Sequence, residues 1–295
     1  MTTPCGFLVL DKPAGPTSHD CVALARRRLG IRRIGHGGTL DPAVTGVLPL
    51  AVGPATRLLP YLNGDKEYTG SIQLGLRTVS DDLQGEILEQ RPWPRLDPSA
   101  LEAALLSFLG PQQQRPPQVS AVHVDGERAH ARVRRGEALE LPARPVTIEG
   151  LRLTHWDPET GLVGLWLRCS AGTYVRSLAR DLGERLGCGG ALASLRRTHA
   201  LGFDLAGALP PDQLLPGTPL QDPLLPLGHL PQRRLADHEW LAWTRGQRLP
   251  LGAAGPGDSG ETPVVVLRPD GSLAGMAGRS DDGRLQPRLV FDASG

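Results

Sequence analysis

Hydrophobic residues recur along this chain at two different periods, and the switches between them mark its elements. In EYTGSIQLG, from Glu67 to Gly75, alternation puts Tyr68, Gly70, Ile72 and Leu74 on one side of an extended chain, which predicts a strand. GLVGLWLRCS predicts another, with Val163, Leu165 and Leu167 on one face. The spacing turns helical in GTYVRSLARDLGERLG, where Val175, Leu178, Ala179, Leu182 and Leu186 share a face that ends at Gly187. LDPSALEAALLSFLG predicts a second helix: Asp97 caps it, Pro98 occupies the first turn, Leu101, Leu105 and Phe108 point inward, and Gly110 stops it. A third is expected from Thr17 or Ser18 to Gly30, with arginines in its last turn to complement the helix dipole. From Leu209 to about Pro231 no period persists, and the proline- and leucine-rich run predicts a packed linker. Beyond it, VVVLRPDGSLAGMAGRSDDGRLQPRLVF predicts two or three short strands joined by Asp-Gly turns, enough for a small β domain.

Composition narrows the class. With 295 residues, 40% of them apolar and 21% charged, the chain suits a soluble globular protein of one large and one small domain. The longest uncharged apolar run, near Val44 to Val52, is interrupted by Gly46 and Pro49 and falls far short of the roughly 20 residues of a membrane span. MTTPCGFLVLDKP carries no basic leader before its short apolar run, so a cytoplasmic protein is expected. Cys5, Cys21, Cys169 and Cys188 stand singly, without a CxxC pair or a histidine at ligand spacing, which argues against a disulfide framework and a zinc site. The formal net charge is only +1, yet Lys12 and Lys66 are the sole lysines, so the positive charge is nearly all guanidinium. Arginine suits phosphate forks and base stacking, although a GC-rich genome also favours it. Two clusters stand out: five arginines between Arg26 and Arg33, and DGERAHARVRRGE, with Arg128, Arg132, Arg134, Arg135, His123 and His130. The first cluster alone reads as a helix-dipole complement; the two together are compatible with an RNA or DNA partner without establishing one.

The candidate chemistry centres on GHGGTLDPAVTGVLPLAVG, residues 35 to 53, which sets one carboxylate among glycines and prolines. Asp41 before Pro42 is by itself a helix or turn cap. Gly35, Gly37, Gly38 and Gly46, however, permit a closer approach of backbone or ligand than a cap needs. Arg176 is the second signal. Its helix neighbours are expected to pair, Arg180 with Glu184 and Asp181 with Arg185, whereas Arg176 has only Ala179 and Arg180 within reach. It must look off the helix, to solvent, a phosphate or a carboxylate that it would hold ionised.

These residues belong to longer motifs. GHGGTLDPAVTGVLPLAVGPATRL resembles the catalytic motif of the TruB-type pseudouridine synthases, the tRNA pseudouridine-55 synthases. The resemblance continues through DKPAGPTSHD, KEYTGSIQLGLRTVSDDLQGEI, SAGTYVRSLARDLGERLGCG and SLRRT, covering most of residues 6 to 200 in the family's order. The C-terminal segment is more weakly similar to the family's PUA-like RNA-binding domain. The resemblance implies a mixed α/β (α+β) fold with a large, mostly antiparallel sheet. It implies a catalytic domain over 1–232 with an RNA-gripping insertion at about 97–145, and a PUA-like domain over 233–295. It implies isomerisation of uridine 55 in the T loop of tRNA by base flipping, with no cofactor or metal and no membrane partner; nothing suggests a dimer seam. Asp41 would be the nucleophile and Arg176 its partner, while Tyr68 would stack on the base and help move the C5 proton. His36 would support the flipped arrangement, Tyr174 line the pocket, Leu195 pack on the base, and Lys12 serve at the wall as scaffold or substrate contact. Without the resemblance, Tyr68, Tyr174 and Leu195 read as core residues and His36 as a turn residue. The chain departs from the family at Val119, where Tyr is usual, at His123, where Lys is usual, and near His130 and Val133, where a Tyr-rich segment is usual. Those departures leave the catalytic residues intact and put the RNA grip in question, with the extra arginines as compensation. A guide-RNA-dependent relative and a tRNA-folding chaperone are the rival readings; a glycosidase is disfavoured because the motif lacks a second carboxylate.

Overall fold

The computed structural model describes residues 4–120, 141–251, 262–280 and 282–291, with the backbone alone of 123–124 and 127–128. Its first part runs β1 (Gly6–Lys12), α1 (Ser18–Leu29), β2 (Ile34–His36), β3 (Thr45–Val52), a 3-10 helix (Gly53–Tyr61), β4 (Lys66–Leu74) and the hairpin β5 (Leu76–Thr78) and β6 (Ile87–Gln90). It continues through α2 (Pro98–Leu106), β7 (Gly110–Gln114), the hairpin β8 (His123–Val124) and β9 (Glu127–Arg128), β10 (Arg144–Asp157), β11 (Leu162–Cys169), α3 (Val175–Arg185), β12 (Gly190–Ala200) and β13 (Phe203–Asp204). One sheet takes most of these strands in the order β1-β3-β12-β4-β11-β10-β7, with β2 on β3 and β13 on β12. Every pairing in it is antiparallel except a short parallel contact of Arg196 and Arg197 with Thr45 and Gly46. The fold is the expected mixed α/β class with a large, mostly antiparallel sheet. At the parallel contact Gly46 adopts φ +102°, and a Cβ there would stand 2.1 Å from the Arg197 carbonyl oxygen, so no other residue fits without moving β12.

The helices begin where the capping residues stand. Thr17 and Asp20 form a reciprocal capping box on α1, and Gly30, in the left-handed region at φ 68°, ends it. Asp97 accepts from the Ala100 amide at 2.8 Å to open α2. That helix ends at Leu106, earlier than expected, because Phe108 and Leu109 close tighter i→i−3 turns; Gly110 opens β7 instead of stopping the helix. β7 and the face of α2 attach to β10, so the start of the expected insertion belongs to the sheet edge. His130, Arg132, Val133, Arg134 and Arg135 lie outside the described residues, as do the side chains of His123 and Arg128.

Residues 44 to 52 show no alternation in sequence because β3 is buried on both faces. Leu48, Leu50 and Val52 pack with Cys21, Val22 and Ala25 of α1 in one core, while Val47 and Ala51 face another containing Leu58, Phe203 and Leu227. The 209–231 run packs as expected. Leu209 exchanges hydrogen bonds with Val9 and Asp11, and Gln221 with Phe7, which covers the open edge of β1.

A second, five-stranded sheet follows in the order β14-β16-β17-β18-β15, comprising β14 (Gln232–Arg234), β15 (Leu249–Pro250), β16 (Val264–Leu267), β17 (Leu273–Arg279) and β18 (Arg284–Val290), with α4 (Asp237–Thr244) against it. It holds five strands where the sequence suggested two or three, since β14 and β15 are too short to display a period. Trp243 of α4 is fully buried there and donates Nε1–H to the Ala274 carbonyl at 2.9 Å. Met276 and Phe291 join the same core as Ala55 and Leu58, so the two sheets share apolar packing.

Candidate active site

Asp41 stands at the head of a turn closed by its own carbonyl and the Val44 amide, 3.0 Å apart, immediately before β3. Three groups pin that turn. The Ser18 hydroxyl both receives the Leu40 amide at 2.8 Å and donates to the Leu40 carbonyl at 3.1 Å, and the Gly15 amide donates to Pro42 O at 2.9 Å. Lys12, at the end of β1, is fully buried and spends its ammonium protons on the carbonyls of Pro13, Pro42 and Val44 at 2.8, 3.1 and 2.8 Å. Lys12 therefore faces the turn and is absent from the lining of the cavity beside Asp41. Burial pushes its ammonium pKa down, against the opposing pull of Cys21 and Asp41.

The partner that Arg176 lacks on its own helix is Asp41. Arg176 Nε lies 3.0 Å from Asp41 Oδ2, and its Nη1 donates to Ser80 O at 2.9 Å and Val119 O at 3.0 Å. With the Arg176 side chain 8% exposed and that of Asp41 44% exposed, the pair adds little stability but fixes the direction of a carboxylate that opens to solvent. Asp82 reaches the same guanidinium at 3.8 Å. The start of α3 is steadied by Gln114 of β7, whose side chain accepts from the Tyr174 amide at 2.8 Å and donates to the Tyr174 carbonyl at 3.1 Å.

Asp41, Lys66, Tyr68, Tyr174, Arg176 and Leu195 line a cavity of about 270 Å³. An adjoining groove of about 850 Å³ runs past Gly15, Pro42, Ser71 and Ser194, with Leu195 common to both. Tyr68, buried on β4, has its phenol pushed up to about 12 by burial, against the pull of Arg197. Burial likewise raises the Tyr174 phenol. His36 does not line the cavity. Its Nδ1 accepts from the Gly38 amide at 3.3 Å and its ring meets His19 edge-on at 5.2 Å; burial first, then His19 and Arg197, depress its pKa.

A carboxylate clamped by a buried arginine at the wall of a cavity the size of a nucleoside gives the fold a candidate centre, and comparison with known proteins gives the chain its family. The model of the family described as TruB family pseudouridylate synthase (N terminal domain) matches residues 26–175. The chain belongs to the TruB family. Among its relatives, a tRNA pseudouridine synthase B of Parasynechococcus marenigrum (strain WH8102) is 64% identical over 100% of both chains. One of Synechococcus sp. (strain WH7803) is 59% identical, again over 100% of both. A solved H/ACA ribonucleoprotein bound to a substrate RNA containing 2'-deoxyuridine superposes with a TM-score of 0.75 at 23% identity, covering 98% of this chain and 86% of that one. A Cbf5-Nop10-Gar1 complex gives 0.73 at 24%, covering 97% and 85%. At such identities these two establish the fold alone.

Within this TruB family chain the sequence reading left several site residues unassigned. Asp82 and Gln114 carried no periodic or spacing signal, and Arg197 lay unremarked within SLRRT. The pairs expected along α3 do not form. Arg180 instead reaches Asp81 at 3.1 Å and Asp181 at 2.8 Å, while Arg185 contacts the Ser107 hydroxyl and stacks on Phe108 at 4.7 Å. Asp81 and the Phe108 ring, fixed from outside the helix, outcompete exposed i,i+4 partners.

Proposed function

We propose that this pseudouridine synthase isomerises uridine to pseudouridine in tRNA, at position 55 of the T loop, with Asp41 as nucleophile. The observation that carries the reading is the Asp41–Arg176 pair at 3.0 Å on the wall of a nucleoside-sized cavity. A uridine inside a folded loop reaches that wall only when unstacked and flipped. Arg176 holds Oδ2 of the carboxylate, while Oδ1 makes no hydrogen bond to a described residue and is available to attack. The C1'–N1 bond breaks, the uracil turns, C1' bonds to C5, and the C5 proton leaves as N1 gains one. No atom or electron is gained overall, so the chemistry calls for no redox partner. Tyr68 and Leu195 enclose the base. A phenol held at about 12 is a weak proton acceptor at neutral pH, which favours stacking as the role of Tyr68 in the free enzyme. Lys12 and His36 act at one remove, through the turn and the Gly38 wall.

The small C-terminal domain is assigned to RNA binding, and the enzyme to the cytoplasm as a monomer. Among the described residues no helix is long and apolar enough to cross a membrane. The test is tritium release from C5-labelled uridine in an unmodified tRNA transcript, with EDTA present. Release by the wild type and none by Asp41→Asn is expected; no release by either, with tRNA still bound, would overturn the reading in favour of a guide-dependent enzyme or a folding chaperone.

A further inference from the structure

β4 carries Lys66 and Tyr68 two residues apart, so both side chains leave the same face of the strand, and both line the cavity. The mechanism above uses Tyr68 and leaves Lys66 idle. Lys66 is half-buried, yet its ammonium makes no hydrogen bond or ion pair with any described residue. The neighbouring acid, Asp65, is engaged elsewhere, accepting from Asn63 Nδ2 at 3.0 Å and pairing with Arg168 at 3.6 Å. Behind Lys66 lies a second cation. Arg197 is fully buried, donates Nε–H to Val47 O at 2.7 Å and Nη2–H to Gly38 O at 3.1 Å, and has the Tyr68 phenol beside it. Its Nη1 makes no hydrogen bond of good geometry, and of its surroundings only the Tyr68 phenol favours the charged guanidinium.

Both side chains border one residue. A Cβ on Gly38, at φ +131°, would stand 3.6 Å from Arg197 Nη1 and 3.7 Å from Lys66 Cε. Among the described residues neither cation has a carboxylate within ion-pair range, and desolvation depresses the pKa of each, with Arg197 adding to the depression at Lys66. A cation withdrawn from water without a counter-charge is expensive, so a wall holding two of them is built for an anion that arrives with the ligand. The uracil ring of an intact uridine is neutral and cannot supply that charge when the ligand binds. The phosphodiesters flanking a flipped nucleotide can, and a compact ammonium with three rotatable donors suits them.

We propose that Lys66, backed by the field of the buried Arg197, is the binding site for a phosphodiester adjoining the flipped uridine. Lys66 makes the contact, and Arg197 is a positioning residue that holds the Gly38 wall. The assignment rests on the uridine-flipping function proposed above.

The experiment is a double-mutant cycle between protein and RNA. Synthetic T-arm stem–loops carry either native phosphodiesters or one neutral methylphosphonate, 5' or 3' of the target uridine. Wild type, Lys66→Gln, Lys66→Met and Lys66→Arg are compared for Kd at several salt concentrations. Neutralising one of the two linkages should weaken wild-type binding by about tenfold, the value of one charge-assisted hydrogen bond. Lys66→Gln and Lys66→Met should bind native RNA about as weakly, lose little further with the methylphosphonate, and lower the slope of log Kd against log salt by about 0.7 to 0.9. Lys66→Arg should keep most of the affinity and the slope. Additive losses, or an unchanged slope in the charge-removing variants, would overturn the proposal. So would wild-type affinity indifferent to both methylphosphonates, an outcome that does not depend on any variant folding. Tritium release by the wild type on native stem–loop is measured in parallel, so failure of the isomerase reading registers separately from failure of the phosphate site.

Discussion

Replacing Lys12 with Met distinguishes a scaffold from a substrate contact at the candidate site. Met keeps most of the aliphatic stem but removes the ammonium, and with it the bonds to Pro13 O, Pro42 O and Val44 O at 2.8, 3.1 and 2.8 Å. Three hydrogen bonds from a charged donor are worth about 1.5–3 kcal/mol each, so the gross loss is about 5–9 kcal/mol. Against it stands the relief of no longer burying a fully inaccessible ammonium, several kcal/mol by itself. The net destabilisation should be about 2–4 kcal/mol, which in a chain of this size lowers Tm by roughly 5–10 °C. The consequence for function follows from position. The three carbonyls bracket the turn that presents Asp41, and Lys12 does not line the cavity. Single-turnover isomerisation should therefore fall at least about tenfold, as a displacement well under 1 Å in the proposed nucleophile suffices, while tRNA Kd stays within about twofold. Thermal unfolding, filter binding and tritium release under enzyme excess measure the three quantities. A variant with wild-type stability and rate, or one whose loss is entirely in Kd, would refute the anchoring argument and restore Lys12 as a direct RNA contact.

Two further outcomes follow from the same geometry. Arg176→Lys keeps the charge, but one ammonium cannot occupy the positions of both Nε, toward Asp41, and Nη1, between Ser80 O and Val119 O; single-turnover rate should drop by about a hundredfold with tRNA affinity nearly unchanged, and a wild-type rate would show that charge alone suffices. Tyr68 should remain neutral well past the ordinary value of 10.0: its folded pKa is raised, so its contribution to stability is complete below about 10 and is lost as pH climbs through about 12. A phenolate difference titration of wild type against Tyr68→Phe should place that step at about 12, and a midpoint near 10.0 would contradict burial as the cause.

Elements with one exposed face were legible in the sequence, because burial on one side writes a period into the residues. β4, β11, α1 and α3 belong to this group. β3 was not legible as a strand, since a chain covered on both faces has no reason to alternate, and β14 and β15 were too short for any period. Asp41 and Arg176 could be singled out because each broke a local pattern: a lone carboxylate among glycines, and an arginine without a helical partner. Arg197 and Gln114 broke none. Their importance arises from burial beside backbone segments remote in sequence, Val47 and Gly38 for one and Tyr174 for the other, and no neighbouring residue records that. The α3 pairings failed for the converse reason: local spacing suggested partners that fixed tertiary groups then displaced.

The pinned turn before β3 also decides which molecule has to change shape. Asp41 is rooted at the start of a strand sealed on both faces and tied down by Lys12, Ser18 and Gly15, so it cannot travel to meet its target. In the proposed flipping reaction the deformation then falls on the RNA, and the ease with which a loop gives up one nucleotide becomes part of what the enzyme reads. Two loops of identical sequence around the uridine, one braced by tertiary pairing and one free, should then be modified at different rates by a protein that touches both alike.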